Sequence, residues 1–528
     1  MASHVDVKEI VLVSPSEPTP SHILPLSTLD SQPFLRFTIE YLLVYRSRLV
    51  LNRNATAARI KEALSRTLVP YYPLAGRVRA RPDGKNLEVV CKAQGALFIE
   101  GASENISISE FERAPRCSIQ WRNLLTVHVD DVLCGIPPLV VQLTWLANGE
   151  AAAIGVGFSH CMADGIGSAE FLNSFADLAS GRLRLADFKP KPIWDRHLLN
   201  ESSQMDPHCI SHPEFNRVQD LSGFISRFNQ ETLSPTSVIF DRKSLIELKK
   251  LAHSTSLPSG ILFTSFEVLS AHVWRSWARS LNLPSGQILR MLFSINVRNR
   301  VKPDIPYGFY GNGFVLGCAL TTVKELSDKG LGYAAGLVKK AKERVGDEYV
   351  KSVIDLVSES RARPDSVGVL IVSQWSRLGL EKVDFGMGKP VHVGPVCCDR
   401  YCLFLPVFEQ RDSVQSVSDI LTYPYAFHVV MQLTRELLPA SPGDLEKTAA
   451  VNESVELKNE AKEAYDDIRS EVEELEKKYK ELQEEHECGA LGGRRDDTLE
   501  DASNALDVLR SSTAGVSAKL PQMELWVD

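Results

Sequence analysis

The sequence predicts a mixed α/β protein made of two successive α/β domains. Three observations carry that expectation. The 528 residues leave room for two to four domains at about 150 residues each. Strand-like and helix-like stretches alternate on both sides of the middle of the chain. Between them, residues 181–213 lose apolar periodicity and collect Pro190, Pro192, Pro207 and Pro213, the composition of a linker or a long surface crossover. The expected division is 1–180 for an N-terminal domain, 181–213 for the crossover linker and 214–415 for a C-terminal domain. Residues 416–450 read as an atypical connector, 451–488 as an acidic amphipathic helix and 489–528 as a loose tail.

The elements follow in order. Ala57, Ile60, Ala63, Leu64 and Leu68 keep helical spacing and stop before Pro70. Tyr72-Pro73-Leu74-Ala75-Gly76-Arg77 then opens a hairpin that turns at Pro82-Asp83-Gly84. A second hairpin joins 139–146 to 151–159 through Asn148-Gly149, a pair that accepts the positive φ angles of a tight primed turn. Its second strand delivers the chain to His160, and Leu172, Phe175, Ala176 and Ala179 mark one face of a helix ending near Gly181. In the second half, Thr264-Ser265-Phe266-Glu267 has the pattern of a capping box, with Thr264 as N-cap and Glu267 three positions on. Strand-like runs return at 288–297, 314–321, 367–373 and 402–407. Near the end, Leu457, Ala461, Ala464, Ile468, Val472 and Leu475 are spaced by threes and fours, which predicts one long helix or a coiled coil.

Composition narrows the function. Hydrophobic residues at 44% and charged residues at 24% match a globular protein and exclude collagen-like or wholly disordered chains. The net charge of −8 is accounted for by residues 451–488, which hold 6 basic and 14 acidic side chains, so the main body is balanced. Without a basic surplus, nucleic acid is not expected as a partner. The ten cysteines form no Cys-x-x-Cys ligand sets and are too sparse for a disulfide scaffold, so they read as reduced thiols of a cytoplasmic protein. No signal-peptide core or long apolar run appears, so neither secretion nor a membrane span is expected.

Two motifs carry chemistry. His160-Cys161-Met162-Ala163-Asp164-Gly165 puts a histidine at a strand end with Gly165 and Gly167 behind it, a setting in which an imidazole can face a cleft. Its ordinary pKa of about 6.5 suits general-base work. Alone, the same pattern equally describes a buried histidine beside a cap-forming aspartate. The second motif, Asp384-Phe385-Gly386-Met387-Gly388-Lys389-Pro390, by itself signals only a tight turn.

Together, in this order, the two motifs resemble those of the plant BAHD acyltransferases, acyl-CoA-dependent enzymes marked by His-x-x-x-Asp-Gly and Asp-Phe-Gly-Trp-Gly. The likeness runs from Leu26-Ser27-Thr28-Leu29-Asp30 through Tyr72-Pro73-Leu74-Ala75-Gly76-Arg77, Thr264-Ser265-Phe266-Glu267 and Tyr310-Gly311-Asn312 to Gln374-Trp375-Ser376-Arg377-Leu378. It implies two chloramphenicol-acetyltransferase-like domains with a channel along their interface and the motif histidine at its middle. It also implies acyl-CoA as cosubstrate, no permanently bound cofactor and no metal, and a small-molecule alcohol as acceptor. By the same resemblance His160 is the general base, and Asp164 is structural and pairs with an arginine, here Arg298. Asp384, Gly386 and Gly388 then support the site. Ser373 and Trp375 stand where the family lines the reacting centre, so either the Ser373 hydroxyl or the Trp375 indole N–H steadies an oxyanion, or both are core packing. Arg300 and Lys302 are available to CoA phosphates. The stretch beginning Arg361-Ala362-Arg363-Pro364 most resembles the branch that esterifies long-chain or ω-hydroxy fatty alcohols with hydroxycinnamoyl groups, and taxane-type acyltransferases share parts of it.

Two departures stand out. Met387 replaces the tryptophan of the second motif, exchanging a rigid ring for a flexible thioether. The strand that the family places after 402–407 is either absent or replaced by 429–433. The expected function is therefore an O-acyltransferase, monomeric, with 451–488 open to a helical partner. An amine acceptor is the nearest enzymatic alternative. A non-catalytic scaffold working through its coiled-coil tail is the rival from another class. Gly-x-Ser-x-Gly and Walker loops are missing, which argues against a serine hydrolase or an NTPase. A zinc site from His128, His160, Cys134 and Cys161 lacks ligand spacing.

Overall fold

The computed structural model describes residues 4–421, apart from 47–51, 83, 113–118, 128–131, 148–150, 185–187, 202–209, 231–232, 257–260, 397–400 and 407–413. The turn residues Asp83, Asn148 and Gly149, His128, the remainder of the connector and both segments beyond it lie outside the described residues. The described residues build two six-stranded mixed sheets and one three-stranded sheet. All of them belong to one compact unit.

The first sheet runs Asp6–Val13, Ala96–Ala102, Leu139–Trp145, Ala151–Ser159, Thr38–Arg46, His392–Gly394. Its centre is an all-buried run of small and branched residues, AAAIGVGFS, which suits a strand covered on both faces. Gly155 is required there: a Cβ would sit 2.2 Å from the Leu124 carbonyl oxygen. The helices Arg53–Thr67 and Gly165–Ala179 contribute Ile60, Leu64, Phe171 and Phe175 to the first core. Asn52 caps the first helix by accepting from the Ala55 N–H.

The second sheet runs Phe314–Thr322, Ile288–Asn296, Val369–Gln374, Cys402–Pro406, Val414–Leu421, Leu233–Phe240. Helices Arg242–Ser254, Ser265–Ser280 and Leu331–Arg344 share its core through Leu248, Trp274 and Val338. The capping box at Thr264 and Glu267 is formed in both directions. Tyr72–Ala75 is a short 3-10 turn leading into the antiparallel pair Arg77–Ala80 and Leu87–Cys91.

Two features correct the expected organisation. The strand expected to be absent or displaced to 429–433 is present at Val414–Leu421, antiparallel to both Cys402–Pro406 and Leu233–Phe240. Residues 416–421 are thus sheet, not connector. The apolar residues of this strand, Val414, Val417, Ile420 and Leu421, do not alternate and so hide the period of two; pairing on both edges makes it a strand. The chain also returns to the first sheet after Val369–Gln374. His392–Gly394 pairs with Thr38–Arg46, and Leu380, Val383, Phe385 and Met387 join the first core. The crossover at 181–213 therefore divides the sequence without dividing the two cores.

The halves meet tightly at one glycine. A Cβ at Gly167, in the first turn of Gly165–Ala179, would lie 2.1 Å from the Tyr310 carbonyl oxygen and 2.6 Å from its carbon. Backbone cannot yield as a side-chain tip can. Gly167→Ala should therefore destabilise the protein by about 1–3 kcal/mol or more. Gly336→Ala meets nothing within 4 Å in its helix and should stabilise it by up to about 1 kcal/mol. Denaturant midpoints of the two variants measure the contrast, and equal midpoints would contradict the close approach.

Candidate active site

His160 follows the strand Ala151–Ser159 directly, its N–H donating to the Phe37 carbonyl at 2.9 Å. The half-buried imidazole lies between two aromatic rings, Phe37 at 4.9 Å and Phe314 at 5.7 Å between centroids. Phe314 opens the edge strand of the second sheet, so the ring stands where the two halves face each other. Burial pushes the His160 pKa below its ordinary value, and the nearby Asp164, Asn312 and Asp30 only partly offset that.

The tautomer follows from the hydrogen bonds of Asn312. Its Nδ2 donates to the Asp30 Oδ1 at 2.8 Å and to the His160 carbonyl at 2.7 Å. Both partners are acceptors, so the amide orientation is fixed and Oδ1 is the atom 3.0 Å from His160 Nδ1. Nδ1 therefore carries the proton and Nε2 presents a lone pair. Among the described residues no side chain occupies Nε2.

Asp30 anchors this arrangement. Fully buried, its Oδ1 accepts from the Arg196 Nη1 at 2.7 Å, the Asn312 N–H at 3.0 Å and the Asn312 amide. Its Oδ2 accepts from the Ser27 N–H at 3.0 Å and hydroxyl at 2.6 Å. Arg196 also donates to the Met162 carbonyl at 2.7 Å, and its guanidinium lies over the rings of Trp194 and Tyr310. Asp30 and Asn312 fall inside two of the stretches that carry the family resemblance, but neither these stretches nor the local sequence assigns them a role. A buried aspartate beside Ser27 is a readable turn signal; Arg196, in an aperiodic crossover, carries none.

The Asp164 carboxylate is taken up by partners other than the His160 ring nitrogens. Its Oδ1 caps the helix Gly165–Ala179 by accepting from the Ile166 and Gly167 N–H groups at 3.1 and 2.9 Å. Arg298 donates to it in a fork, Nη1 to Oδ2 at 2.8 Å and Nη2 to Oδ1 at 3.0 Å. The Gly313 N–H adds a donor at 3.0 Å, and Arg298 also holds the Gly311 carbonyl at 2.9 Å. Burial works to raise the Asp164 pKa, but the Arg298 charge and the donated hydrogen bonds outweigh it and hold the carboxyl below its ordinary range.

Asp384, Gly386 and Gly388 form a closed turn elsewhere. Asp384 Oδ1 accepts from the N–H groups of Gly386, Met387 and Gly388 at 2.8, 3.0 and 2.8 Å. Gly386 and Gly388 have φ of +82° and +93°, conformations that favour glycine. Arg59 ties the Phe385 carbonyl to that of Ala179, and the Tyr45 hydroxyl donates to the Val383 carbonyl. Phe385 packs edge-on against Phe175 in the first core. This loop latches the first core and donates nothing to His160. Trp375 packs in the first core, its ring 4.9 Å from Tyr41, whose hydroxyl bonds Ser168 in the motif helix. Ser373 sits in the strand Val369–Gln374 opposite Leu403. Arg300 is committed to the carbonyls of Lys342 and Val345, whereas Lys302 is exposed. Cys161 is buried and Cys134 exposed, and no group of three or more metal-ligating side chains gathers among the described residues.

The Asp164–Arg298 pair has a measurable consequence. Removing one partner leaves the other buried and uncompensated, so Arg298→Met should cost about 3–5 kcal/mol of stability near neutral pH. Because the folded carboxyl is held below its ordinary value, the stabilisation is complete above the ordinary carboxyl range and lost as pH falls through the lowered value. The gap between wild type and variant should therefore narrow in acid. Urea titrations across pH test this; a pH-independent gap would refute it.

Comparison with known proteins agrees with the geometry. Residues 3–429 match the profile described as "Transferase family". The omega-hydroxypalmitate O-feruloyl transferase of Arabidopsis thaliana is 36% identical over 419 residues, covering 78% of this chain and 89% of that protein. The fatty alcohol:caffeoyl-CoA acyltransferase of the same plant is 34% identical over 416 residues, covering 77% of this chain and 93% of its own length. The crystal structure of vinorine synthase superposes with a TM-score of 0.64 at 21% identity, covering 82% of this chain and 98% of that one, which speaks for the two-domain fold. The match of fold, motifs and sequence over most of the chain makes it a member of the BAHD transferase family and an acyl-transferring enzyme.

Proposed function

We propose that the protein transfers an acyl group from coenzyme A to an alcohol, with His160 as the general base. The observation that carries this reading is the free Nε2 lone pair of an imidazole whose tautomer is fixed by Asn312. A thioester is already activated, so the alcohol needs only its proton removed as it attacks the carbonyl carbon. In the proposed step Nε2 takes that proton while the new C–O bond forms and the carbonyl oxygen becomes an oxyanion. Collapse of the tetrahedral intermediate breaks the C–S bond, and the imidazolium returns the proton to the departing thiolate. No covalent acyl-enzyme is needed. The Trp375 indole N–H or the Ser373 hydroxyl is proposed to steady the oxyanion.

The similarity to transferases named for feruloyl and caffeoyl groups and for fatty alcohols supports a hydroxycinnamoyl donor and a long-chain alcohol acceptor. The aromatic rings flanking His160 fit such an apolar donor. Arg361 and Arg363 belong to the stretch of the sequence that resembles the same branch.

Two experiments test the base. His160→Ala should lower kcat by about 10²–10⁴-fold while the melting temperature stays near wild type, in an assay that reads CoA release and ester mass; turnover close to wild type would remove His160 from the mechanism. The pH profile is the second. Because burial lowers the His160 pKa, the acid limb of kcat/KM should have its midpoint below the ordinary imidazole value of about 6.5. A midpoint above that value would mean that another group, or an imidazole in a different environment, controls the rate.

A further inference from the structure

The proton on His160 Nδ1 is held by groups from three separate segments. Nδ1 donates to the Asn312 Oδ1 at 3.0 Å, the Asn312 Nδ2 donates to the Asp30 Oδ1 at 2.8 Å, and the Arg196 Nη1 donates to the same oxygen at 2.7 Å. Of the three, only Asn312 bonds the imidazole. Asp30 and Arg196 are both buried, and the chain makes room for the guanidinium: a Cβ at Gly311, beside Asn312, would lie 2.6 Å from Arg196 Cζ. The crossover that carries Arg196 is fastened on both sides. The Trp194 indole N–H donates to the Pro25 carbonyl at 3.2 Å, the Thr28 N–H to the Asn200 Oδ1 at 3.3 Å, and the Ile193 N–H to the Gly308 carbonyl at 2.9 Å.

Taking an alcohol proton at Nε2 turns the ring into a cation in surroundings that disfavour charge. Asp164, the other carboxylate close by, is spent on the Arg298 fork and on the Ile166, Gly167 and Gly313 N–H groups. Glu170, in the same helix, is drawn to Arg298, and Arg36 precedes Phe37 on the other flank of the ring. Asp30 reaches the imidazole through a single amide. An amide that donates to a carboxylate becomes a stronger acceptor at its own oxygen, and that oxygen receives the Nδ1 proton, so its support grows as the ring charges. At rest the amide is neutral and draws the imidazole into no permanent ion pair, which leaves Nε2 its lone pair. Burial lowers the His160 pKa, and the Asn312 bond and the Asp30 charge act against it.

We propose that Arg196, Asp30 and Asn312 are positioning residues of the acyl transfer: Arg196 holds the Asp30 carboxylate, which orients and polarises the Asn312 amide, whose oxygen supports the imidazolium formed when Nε2 takes the alcohol proton. The inference deepens the acyl-transfer reading and rests on it. No proton travels along this relay; the proton taken at Nε2 leaves from Nε2 to the departing thiolate, and the one on Nδ1 stays.

The test uses the full chain and reads the imidazole itself. Asp30→Asn keeps the shape and removes the charge. Because it leaves Arg196 buried and unpaired, the double variant of Asp30→Asn with Arg196→Met, which removes both charges, is measured beside it. With a hydroxycinnamoyl-CoA and a long-chain alcohol, kcat should fall roughly 10- to 100-fold, the size of effect known for outer partners that orient a histidine, while KM stays near wild type. The acid limb of kcat/KM should move to lower pH, since a negative charge that favours the imidazolium has gone. Asn312→Ala removes the acceptor of the Nδ1 proton. Isotope-edited nitrogen NMR of histidine-labelled protein, recorded above the acid limb and with His160 assigned by the loss of its signals in His160→Ala, should show Nδ1 protonated in the wild type and a mixture of tautomers in Asn312→Ala. A purely structural role would lower the melting temperature and leave tautomer and acid limb in place. A folded Asn312→Ala whose proton stays on Nδ1, or a folded charge-free variant whose kcat and acid limb are those of wild type, would therefore overturn the relay while leaving acyl transfer intact. Turnover close to wild type in His160→Ala would instead strike the general-base reading on which the relay rests.

Discussion

The geometry of the site depends on the buried carboxylate of Asp30. It gathers donors from three distant parts of the chain: its own turn through Ser27, the crossover through Arg196, and the start of the second sheet through Asn312. A carboxylate and a guanidinium both removed from water are held only if nearly every lone pair and proton is met, and here the aromatic faces of Trp194 and Tyr310 cover the Arg196 guanidinium. Because Asp30 claims the Asn312 amide nitrogen, the amide oxygen is left for His160. The proton position on the imidazole is thus set by a residue that does not touch it.

Asp164 works on the same segment from the other side. It receives Arg298 and the Gly313 N–H, while Asp30 receives the Asn312 N–H, so adjacent backbone amides of the second half dock on two carboxylates of the first. Gly167 lets the helix press against the Tyr310 backbone. The three contacts together locate the start of the strand Phe314–Thr322, and with it the Phe314 ring that flanks His160. The second motif acts away from the imidazole. Asp384 closes its own glycine turn, and Arg59 fastens that turn to the helix ends of the first core. Met387 stays buried in that core, where a thioether can fill the space of a missing ring without reaching the imidazole.

What is readable in the sequence is local. His160 and Asp164 stand four apart in one motif, the Thr264 capping box spans four residues, and the strands 139–146 and 151–159 lie only a few residues apart; each leaves its mark within a short window of sequence. The Asp30–Asn312 contact joins residues 282 apart and Asp30–Arg196 residues 166 apart, and no periodicity records such a pairing. The strand Val414–Leu421 is hidden for a related reason: its apolar residues do not alternate, and its pairing partners, above all Leu233–Phe240, supply the order that its own pattern lacks. Arg298 becomes nameable only through the family resemblance, since nothing in its own neighbourhood points to Asp164.

Neutral acceptors and paired charges divide the site between them. The charges of Asp30, Asp164, Arg196 and Arg298 are all consumed by one another and by backbone groups, so none is left to draw a second water-bearing shell around His160. A histidine in such surroundings is more easily kept neutral than charged, which leaves Nε2 as a lone pair able to take a proton. The same dryness strengthens any hydrogen bond an incoming hydroxyl makes there, because water no longer competes for it. In the proposed step an alcohol is bound and deprotonated by one and the same atom, so the desolvation that lowers the basicity of His160 would also raise the benefit of presenting it with a hydroxyl. The paired carboxylates make that balance possible: they hold the imidazole in place without adding net charge to the pocket around it.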